Sequence, residues 1–310
     1  MRPAVMRKKT ICRRHRGFTY IECLVALLIS AFVFLPLYAS FRGTIRTYRL
    51  FQDRRIAESR IETVGAILRN PAFYCGAGLP SSSSVYKKAF GSVATAPFSW
   101  SGPISIVESD SGASDGCLRI AYAYPYPGGC LTADEYTVGK SSTSVTFKTA
   151  PDTSLFDLTV STKATSVKNW VLFLNSDPRR APMVITSASN KILKLKNYLY
   201  DEVTVRQVDK LMLFRALMCW AEGGKLYTKD YRTTGNQPRV NGICDIRFER
   251  EDSLLTAYVI ARGDDDKLAP GRIVNEDACR ADLLEAWRGK SDYILYCEKF
   301  VWPLPNLGSS

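Results

Sequence analysis

The sharpest change in the hydrophobic pattern lies near the N-terminus. Residues 18–38 read FTYIECLVALLISAFVFLPLY, an apolar run interrupted only by Glu22, Cys23, a proline and small or aromatic hydroxyl residues. As an α-helix, a segment of this length extends about 30 Å, the thickness of the hydrocarbon core of a bilayer. The pattern therefore predicts a membrane-spanning helix over 18–38. Pro36 removes one helical hydrogen bond, so we expect a kink or local melting there.

A second helical pattern continues over residues 39–70, and Asn70-Pro71 is predicted to end it. Its apolar positions recur mostly every three or four residues, and they are Phe41, Ile45, Tyr48, Phe51, Val64, Ile67 and Leu68. Its charged positions are predicted to form a solvated face, and they are Arg46, Arg49, Asp53, Arg54, Arg55, Glu58, Arg60 and Glu62. The pattern indicates the amphipathic second half of one long helix.

Residues 71–310 carry the pattern of a β-rich domain. Strands are predicted over 117–124, 144–149, 155–160, 170–174, 183–186, 191–196, 211–220, 225–231, 243–249 and 255–261. Gly223-Gly224 and Asp252-Ser253 read as hairpin turns, and 276–287 reads as a helix. We therefore expect an α+β fold, a long N-terminal helix packed on a mainly antiparallel sheet. The tail, residues 263–310, gives no further assignment.

Charge is distributed unevenly along the chain. Of a formal net charge of +12, seven positive charges and no negative ones precede Gly17, which leaves +5 for the rest. The positive-inside rule places residues 1–17 in the cytoplasm and the domain after the helix on the other side. The remaining charge does not favour a nucleic-acid partner, although Tyr231, Arg232 and Arg239 are candidates for a DNA-contacting surface.

The sequence contains few candidate residues for catalysis or metal binding. The single histidine is His15, in the N-terminal basic segment, and no GxSxG elbow or glycine-rich phosphate loop occurs. We therefore predict neither enzymatic activity nor a cofactor. Asp264, Asp265 and Asp266 could bind calcium, but without EF-hand spacing a solvated turn is favoured, and no metal site is predicted.

Seven cysteines lie in residues 71–310, and their number indicates disulfides in an oxidising compartment. They are Cys75, Cys117, Cys130, Cys219, Cys244, Cys279 and Cys297. Three local pairs are compatible with the sequence, namely Cys117–Cys130, Cys219–Cys244 and Cys279–Cys297, which leaves Cys75 unpaired. Spacing alone does not fix the connectivity, so other pairings stay open.

An unpaired carboxylate in a membrane helix costs several kcal/mol, so Glu22 is expected to meet a cation. The basic segment, Gly17 and the following Phe18-Thr19-Tyr20-Ile21-Glu22 resemble the processing signal of type IV pilins and type II secretion pseudopilins. Tyr20 and Cys23 depart from the aliphatic residues usual there.

The resemblance implies a cleaved leader of residues 1–17 and a partner enzyme, a prepilin peptidase and methyltransferase. That enzyme would cut between Gly17 and Phe18 and methylate the new Phe18 amine. Thr19 and Glu22 would belong to the assembly signal, with Glu22 neutralising the Phe18 amine of a neighbouring subunit. The resemblance also implies a single-pass protein of the bacterial inner membrane, with its domain outside the cytoplasm and later in a filament.

Three further segments, 47–78, 114–124 and 213–252, resemble the W-type minor pilins and the J-type minor pseudopilins. This likeness implies a type IV pilin-like fold and pairing of Cys75 with a cysteine in the first strand region. It also implies a minor subunit of an initiating or tip complex, with other minor and major pilins or pseudopilins as partners. The alternative is an adhesin or DNA-uptake receptor displayed on the filament.

Overall fold

The computed structural model of the chain describes residues 19–107, 116–175, 181–233, 235–266 and 271–307. The described residues form the α-helices α1 (Tyr20–Phe73), α2 (Ser83–Ala89) and α3 (Ala281–Trp287). Their β-strands are β1 (Ile104–Val107), β2 (Cys117–Pro125), β3 (Tyr136–Gly139), β4 (Thr143–Thr146), β5 (Trp170–Phe173), β6 (Met183–Ser189), β7 (Ile192–Asn197), β8 (Glu202–Val205), β9 (Leu211–Glu222), β10 (Lys225–Asp230), β11 (Gln237–Asn241), β12 (Ile243–Glu251), β13 (Leu254–Arg262), β14 (Ile273–Val274) and β15 (Leu295–Pro303). The predicted α+β class is confirmed.

Helix α1 is continuous over 54 residues. Pro36 lies inside it, so the local melting expected there is absent, while a bend at this residue stays a prediction. The helix also continues to Phe73, three residues past Asn70, although Asn70-Pro71 was expected to end it. Pro71 lies in the last turn, and the N–H of Tyr74 still donates to the carbonyl of Asn70 at 3.1 Å. One proline therefore removes one donor without ending the helix.

The chain divides into two compact units, residues 1–51 and 52–310. On α1, the buried positions all belong to the second unit, and they are Asp53, Ala57, Ile61, Val64, Gly65, Leu68, Pro71 and Ala72. Val64 and Leu68 were predicted members of the apolar stripe. Of the other predicted members, Ile67 is half-buried, and Phe41, Ile45, Tyr48 and Phe51 are exposed. The stripe is therefore buried only where the helix belongs to the β-rich unit.

The larger sheet has nine strands and follows the order β1-β2-β9-β5-β6-β7-β4, with β10 paired to β9 and β11 to β10. Strand β9 organises it by pairing with β2, β5 and β10. Its core is rich in aromatic rings, and Phe90 contacts Trp170 at 4.8 Å and Phe214 at 5.0 Å between ring centroids. Strands β3 and β8 form a separate antiparallel pair.

The smaller sheet follows the order β12-β13-β15-β14 and is antiparallel except for the short β14–β15 pair. The second half of α1 packs on one face, where Gly65 lies against Phe300: a Cβ at Gly65 would come 2.8 Å from Cε1 of that ring. On the other face, Leu283 of α3 packs with Ile260, Leu295 and Cys297.

The strand predictions hold where alternation is strong and fail in one segment. Both hairpins are confirmed, since β9 pairs with β10 and β12 with β13 around the predicted turns. Residues 155–160 form turns instead of a strand. The side-chain amide of Asn169 accepts from the N–H of Asp157 at 2.8 Å and donates to its carbonyl at 2.7 Å, so this backbone is satisfied without a partner strand.

Strands β1, β3, β8, β11, β14 and β15 and helix α2 were not predicted. The predicted helix over 276–287 is a short 3₁₀ turn followed by α3.

Candidate functional site

The first turn of α1 is closed by Thr19 and Glu22. The Glu22 carboxylate accepts the backbone N–H of Thr19 at 2.8 Å and its hydroxyl at 3.0 Å, and the N–H of Glu22 donates to Thr19 Oγ1 at 3.3 Å. This reciprocal arrangement is a capping box, which satisfies donors that a helix start leaves unpaired. Glu22 therefore has a structural partner within its own chain. Gly17 and Phe18, the predicted processing residues, lie outside the described residues.

The side chains that follow form a continuous exposed apolar surface. Within α1, one stretch is long and apolar enough to cross a membrane, and none of that stretch is buried. Leu35 is 69% exposed, and Phe32 is 70% exposed. Burying one such side chain gains about 1.5–3 kcal/mol, so transfer of this surface into an apolar environment would be strongly favourable. The structure thus presents a capped helix whose apolar surface requires another environment.

A second polar arrangement joins α1 to the end of β13. Asp53 is 2% exposed, and its Oδ1 accepts the N–H groups of Asp264 at 2.6 Å and Asp265 at 2.9 Å. Gly263 lies so close to this carboxylate that a Cβ there would overlap it. The loop therefore docks on the helix through its backbone.

Arg60, seven residues after Asp53 on α1, contacts the same loop. Its Nη1 donates to the carbonyl of Arg262 at 2.7 Å, and its Nη2 pairs with Oδ1 of Asp264 at 2.6 Å. Asp53 and Arg60 were predicted to lie on a solvated face, which is wrong for both. Their contact with the loop could not be predicted from the sequence, because the loop lies more than 200 residues away along the chain.

The acidic triplet is therefore partly engaged by α1 rather than a free turn. Among the described residues, no group of three or more His, Cys, Asp or Glu side chains is arranged to hold a metal ion. Asp264 contacts Asp53 and Arg60, and the N–H of Asp265 donates to Asp53.

The cysteines of the described residues are all unbonded, and two expected pairs are separated. Cys117 lies beside the register pair Leu118–Cys219, whereas the carbonyl of Cys130 accepts from Leu211 at the other end of β9. Eight residues of strand span about 26 Å, far beyond the reach of a disulfide. The backbone of Cys75 forms an isolated β-bridge with Tyr122, which lies five residues along β2 from Cys117. The expected disulfide between Cys75 and a cysteine at the start of this strand is therefore also wrong.

Of the three local pairs named from the sequence, Cys279–Cys297 is the one whose side chains are in contact. Their side chains are hydrogen-bonded, and this contact lowers the pKa of Cys279 and raises that of Cys297. Cys244 packs against the same apolar cluster, while Cys219 lies buried near Cys117. Cys279 and Cys297 are free thiols in contact, and a bridge between them stays a prediction.

Of the three proposed DNA-contacting residues, Arg232 is buried, Tyr231 is half-buried and Arg239 is exposed. Arg232 is 9% exposed and donates to the carbonyls of Phe214 at 3.3 Å and Leu155 at 2.6 Å. Burial lowers its pKa to about 10. Tyr231 packs edge-on against Trp100, and Arg239 donates to the Thr228 hydroxyl at 2.8 Å. Arg232 is therefore a core residue, which corrects its assignment as a surface contact.

Comparisons of the chain with protein-family models, with curated proteins and with solved structures gave no match.

Proposed function

We propose that this protein is a minor subunit of a type IV pilus or a type II secretion pseudopilus, made as a precursor with a cleavable leader. The observation that carries the proposal is the position of Glu22, five residues after Gly17, at the start of a long apolar helix with exposed side chains. Such a helix suits both a bilayer and the helical core of a filament.

The proposal gives Glu22 two roles that act in sequence, of which the described geometry supports the first. In the single subunit, its carboxylate caps α1 through Thr19. In a filament, the same carboxylate would neutralise the amine of Phe18 created by cleavage on a neighbouring subunit. Charge pairing away from water is strong enough to fix the stagger between two helices, provided that both charges are matched.

The minor rather than major role rests on the size of the second unit, residues 52–310. A domain of this size repeated at every position along a filament would crowd its neighbours, whereas a tip or occasional subunit avoids that limit. A tip or initiating complex with other minor subunits is therefore the proposed place of this chain. The location of Arg232 in the core takes away one candidate contact of the DNA-receptor alternative.

The first experiment is intact-mass and N-terminal mass spectrometry of the full chain produced with and without an active prepilin peptidase. We expect a mature chain that begins at methylated Phe18 only when the peptidase is present. A known prepilin processed in the same cells is the control for peptidase activity. An unprocessed chain beginning at Met1 beside a processed control would overturn the proposal.

The second experiment separates the two roles of Glu22. Glu22→Gln keeps an oxygen that accepts from Thr19 but removes the charge, whereas Glu22→Ala removes both. If charge pairing assembles the subunit, both variants are processed normally and both are depleted from sheared filaments at least fivefold. If Glu22→Gln is recovered like the wild type, Glu22 acts only as a helix cap, and the proposed charge pairing is wrong.

A further inference from the structure

The outer edge of β15 is open along most of its length. Strand β14 pairs only with Leu295 and Tyr296, and the N–H of Leu295 donates to the carbonyl of Arg272 on that side at 2.8 Å. Backbone groups alternate in direction along a strand, so the N–H and C=O groups of Lys299 and Val301 point to the same side. Among the described residues, no strand pairs with them there.

A groove runs between this edge and the second half of α1. It has two adjoining parts of about 490 and 970 Å³, and Glu62 lines both. One part is bordered by Glu58, Glu62 and Glu298. The other is bordered by Phe73, Phe300 and Trp302. A strand added to β15 would direct every second side chain into this groove.

The first part of the groove is acidic, and none of the described residues that line it is a cation. Glu58 pairs with Arg54 at 2.6 Å, but neither Glu62 nor Glu298 forms an ion pair with the described residues. Burial, followed by the charges of Glu62 and Glu58, raises the pKa of Glu298. A cationic side chain placed there would relieve this repulsion.

The second part of the groove has a floor of aromatic rings, while Glu62, Arg69 and Asn70 line it from the helix. The rings of Phe300 and Trp302 stack with centroids 5.4 Å apart and an interplanar angle of 10°. Phe73 is 52% exposed at the end of α1. The close approach of Phe300 to Gly65 holds this aromatic pair against the helix. An apolar side chain would bury its surface on a floor that needs little rearrangement.

We propose that this groove binds an extended segment of a partner protein, which adds a strand to β15 and places a lysine or arginine at Glu62 and Glu298. An apolar side chain two residues away along that segment would lie on Phe300 and Trp302. Backbone hydrogen bonds to the edge would provide affinity, and the two parts of the groove would select the side chains. The inference uses residues of the second unit alone, so it does not rest on the proposed filament role.

The chemistry favours another protein over a second copy of this chain. On the face of β15 that borders the groove, the same edge of a second copy would offer Glu298, Phe300 and Trp302 and no cation. Lys299 alternates with these residues and lies on the opposite face. The edge strand of a second copy would therefore bring a further carboxylate and no cation to Glu62 and Glu298.

The test is photo-crosslinking of the full chain in the cells that make it, with the attachment site mapped by tandem mass spectrometry. The probe is p-benzoylphenylalanine in place of Arg69, which lines the groove. The control carries the same probe in place of the exposed Glu135. We expect the Arg69 probe, and not the control, to attach to a partner segment in which a basic residue alternates with apolar ones.

Two sets of variants decide whether the attachment reflects strand addition. Val301→Pro removes an outward N–H, and it should lower the Arg69 crosslink at least fivefold, whereas the matched Val301→Thr should leave it unchanged. The double variant Glu62→Lys with Glu298→Lys should lower the Arg69 crosslink by a similar factor. If thermal melting shows that Val301→Pro is unfolded, the double variant alone tests the proposal. Attachment to a second copy, to a segment without that pattern, or to nothing overturns the proposal, as does a crosslink that survives these changes.

Discussion

The two halves of helix α1 share one backbone conformation and differ in what their side chains meet. From Tyr20 to Phe51, large apolar side chains are exposed, whereas from Asp53 onward the buried side chains include Ile61, Val64 and Leu68. The more apolar half is therefore the exposed one. Hydrophobicity alone does not determine burial, because the chain's own β-rich unit covers only the second half. The described residues of this chain do not cover the first half, whose apolar side chains would gain stability from burial.

The largest expected effect comes from truncating the same residue type in each half. Leu68 is fully buried, so Leu68→Ala should lower the free energy of unfolding of the second unit by about 2–5 kcal/mol. Leu35→Ala removes a side chain that is 69% exposed and should change it by less than about 0.5 kcal/mol. Denaturant unfolding of the full chain in detergent, followed by tryptophan fluorescence, measures both. Equal losses would show that the two halves are not distinct in this way.

The next effect concerns the polar contact that fixes the second half. Asp53→Ala leaves the N–H groups of Asp264 and Asp265 without their acceptor, and we expect a loss of about 1.5–3 kcal/mol in unfolding free energy. Arg55→Ala, two residues further along the same helix and exposed, is the matched control, with little expected change. The same denaturant measurement distinguishes them. If Asp53→Ala matched the control, the docking of the loop would contribute nothing to stability.

Patterns that repeat within one element were predictable from the sequence. The long helix, the strands with marked alternation such as β9 and β13, and both hairpin turns follow from local periodicity and turn residues. Strand β15 was not predicted, because apolar side chains on both of its faces hide the alternation. Phe300 and Trp302 lie on one face, and Cys297 and Val301 lie on the other. Strands β3 and β8 are only four residues long, too short to establish a period.

Contacts between residues far apart in the chain were not predictable. Asp53 reads as one more charge on a helix face, and only the fold brings Gly263 and Asp264 to it. Arg232 likewise reads as surface, yet it satisfies carbonyls of two separate segments. The capping of α1 is the opposite case, since Thr19 and Glu22 stand three residues apart. Their spacing alone would have indicated a capping box, a signal that the interpretation of Glu22 as an intersubunit residue overlooked.

Glycine on the two halves of α1 offers a finer comparison. Gly43 has nothing near its missing Cβ, so Gly43→Ala should stabilise its segment of the helix by about 0.5–1 kcal/mol. Gly65→Ala would place a Cβ 2.8 Å from the Phe300 ring and should instead destabilise its segment by about 1 kcal/mol. Hydrogen exchange of the amides in each segment reports both changes. Increased protection in both variants would show that Phe300 yields without cost.

The smallest effect lies in the acidic groove and has a defined pH dependence. Burial and the neighbouring Glu62 and Glu58 raise the pKa of Glu298 in the folded chain above the ordinary value of 4.5. The charged form therefore disfavours folding, and this cost appears as the pH rises through the raised folded-state pKa. Glu298→Gln should raise Tm by about 1–2 °C at pH 7, and the gain should shrink as the pH falls towards 4.5.

Differential scanning fluorimetry across this pH range measures the difference between Glu298→Gln and the wild type. Glu135→Gln, at an exposed position, is the control for a generic loss of charge. A gain that stays constant with pH would arise from packing rather than titration. A gain at pH 7 that accompanies a weaker Arg69 crosslink would show that the carboxylate costs stability in the free chain and stabilises the bound one. The exposed half of α1 and the open edge of β15 would then share one property, since each would be stabilised by contact with another molecule.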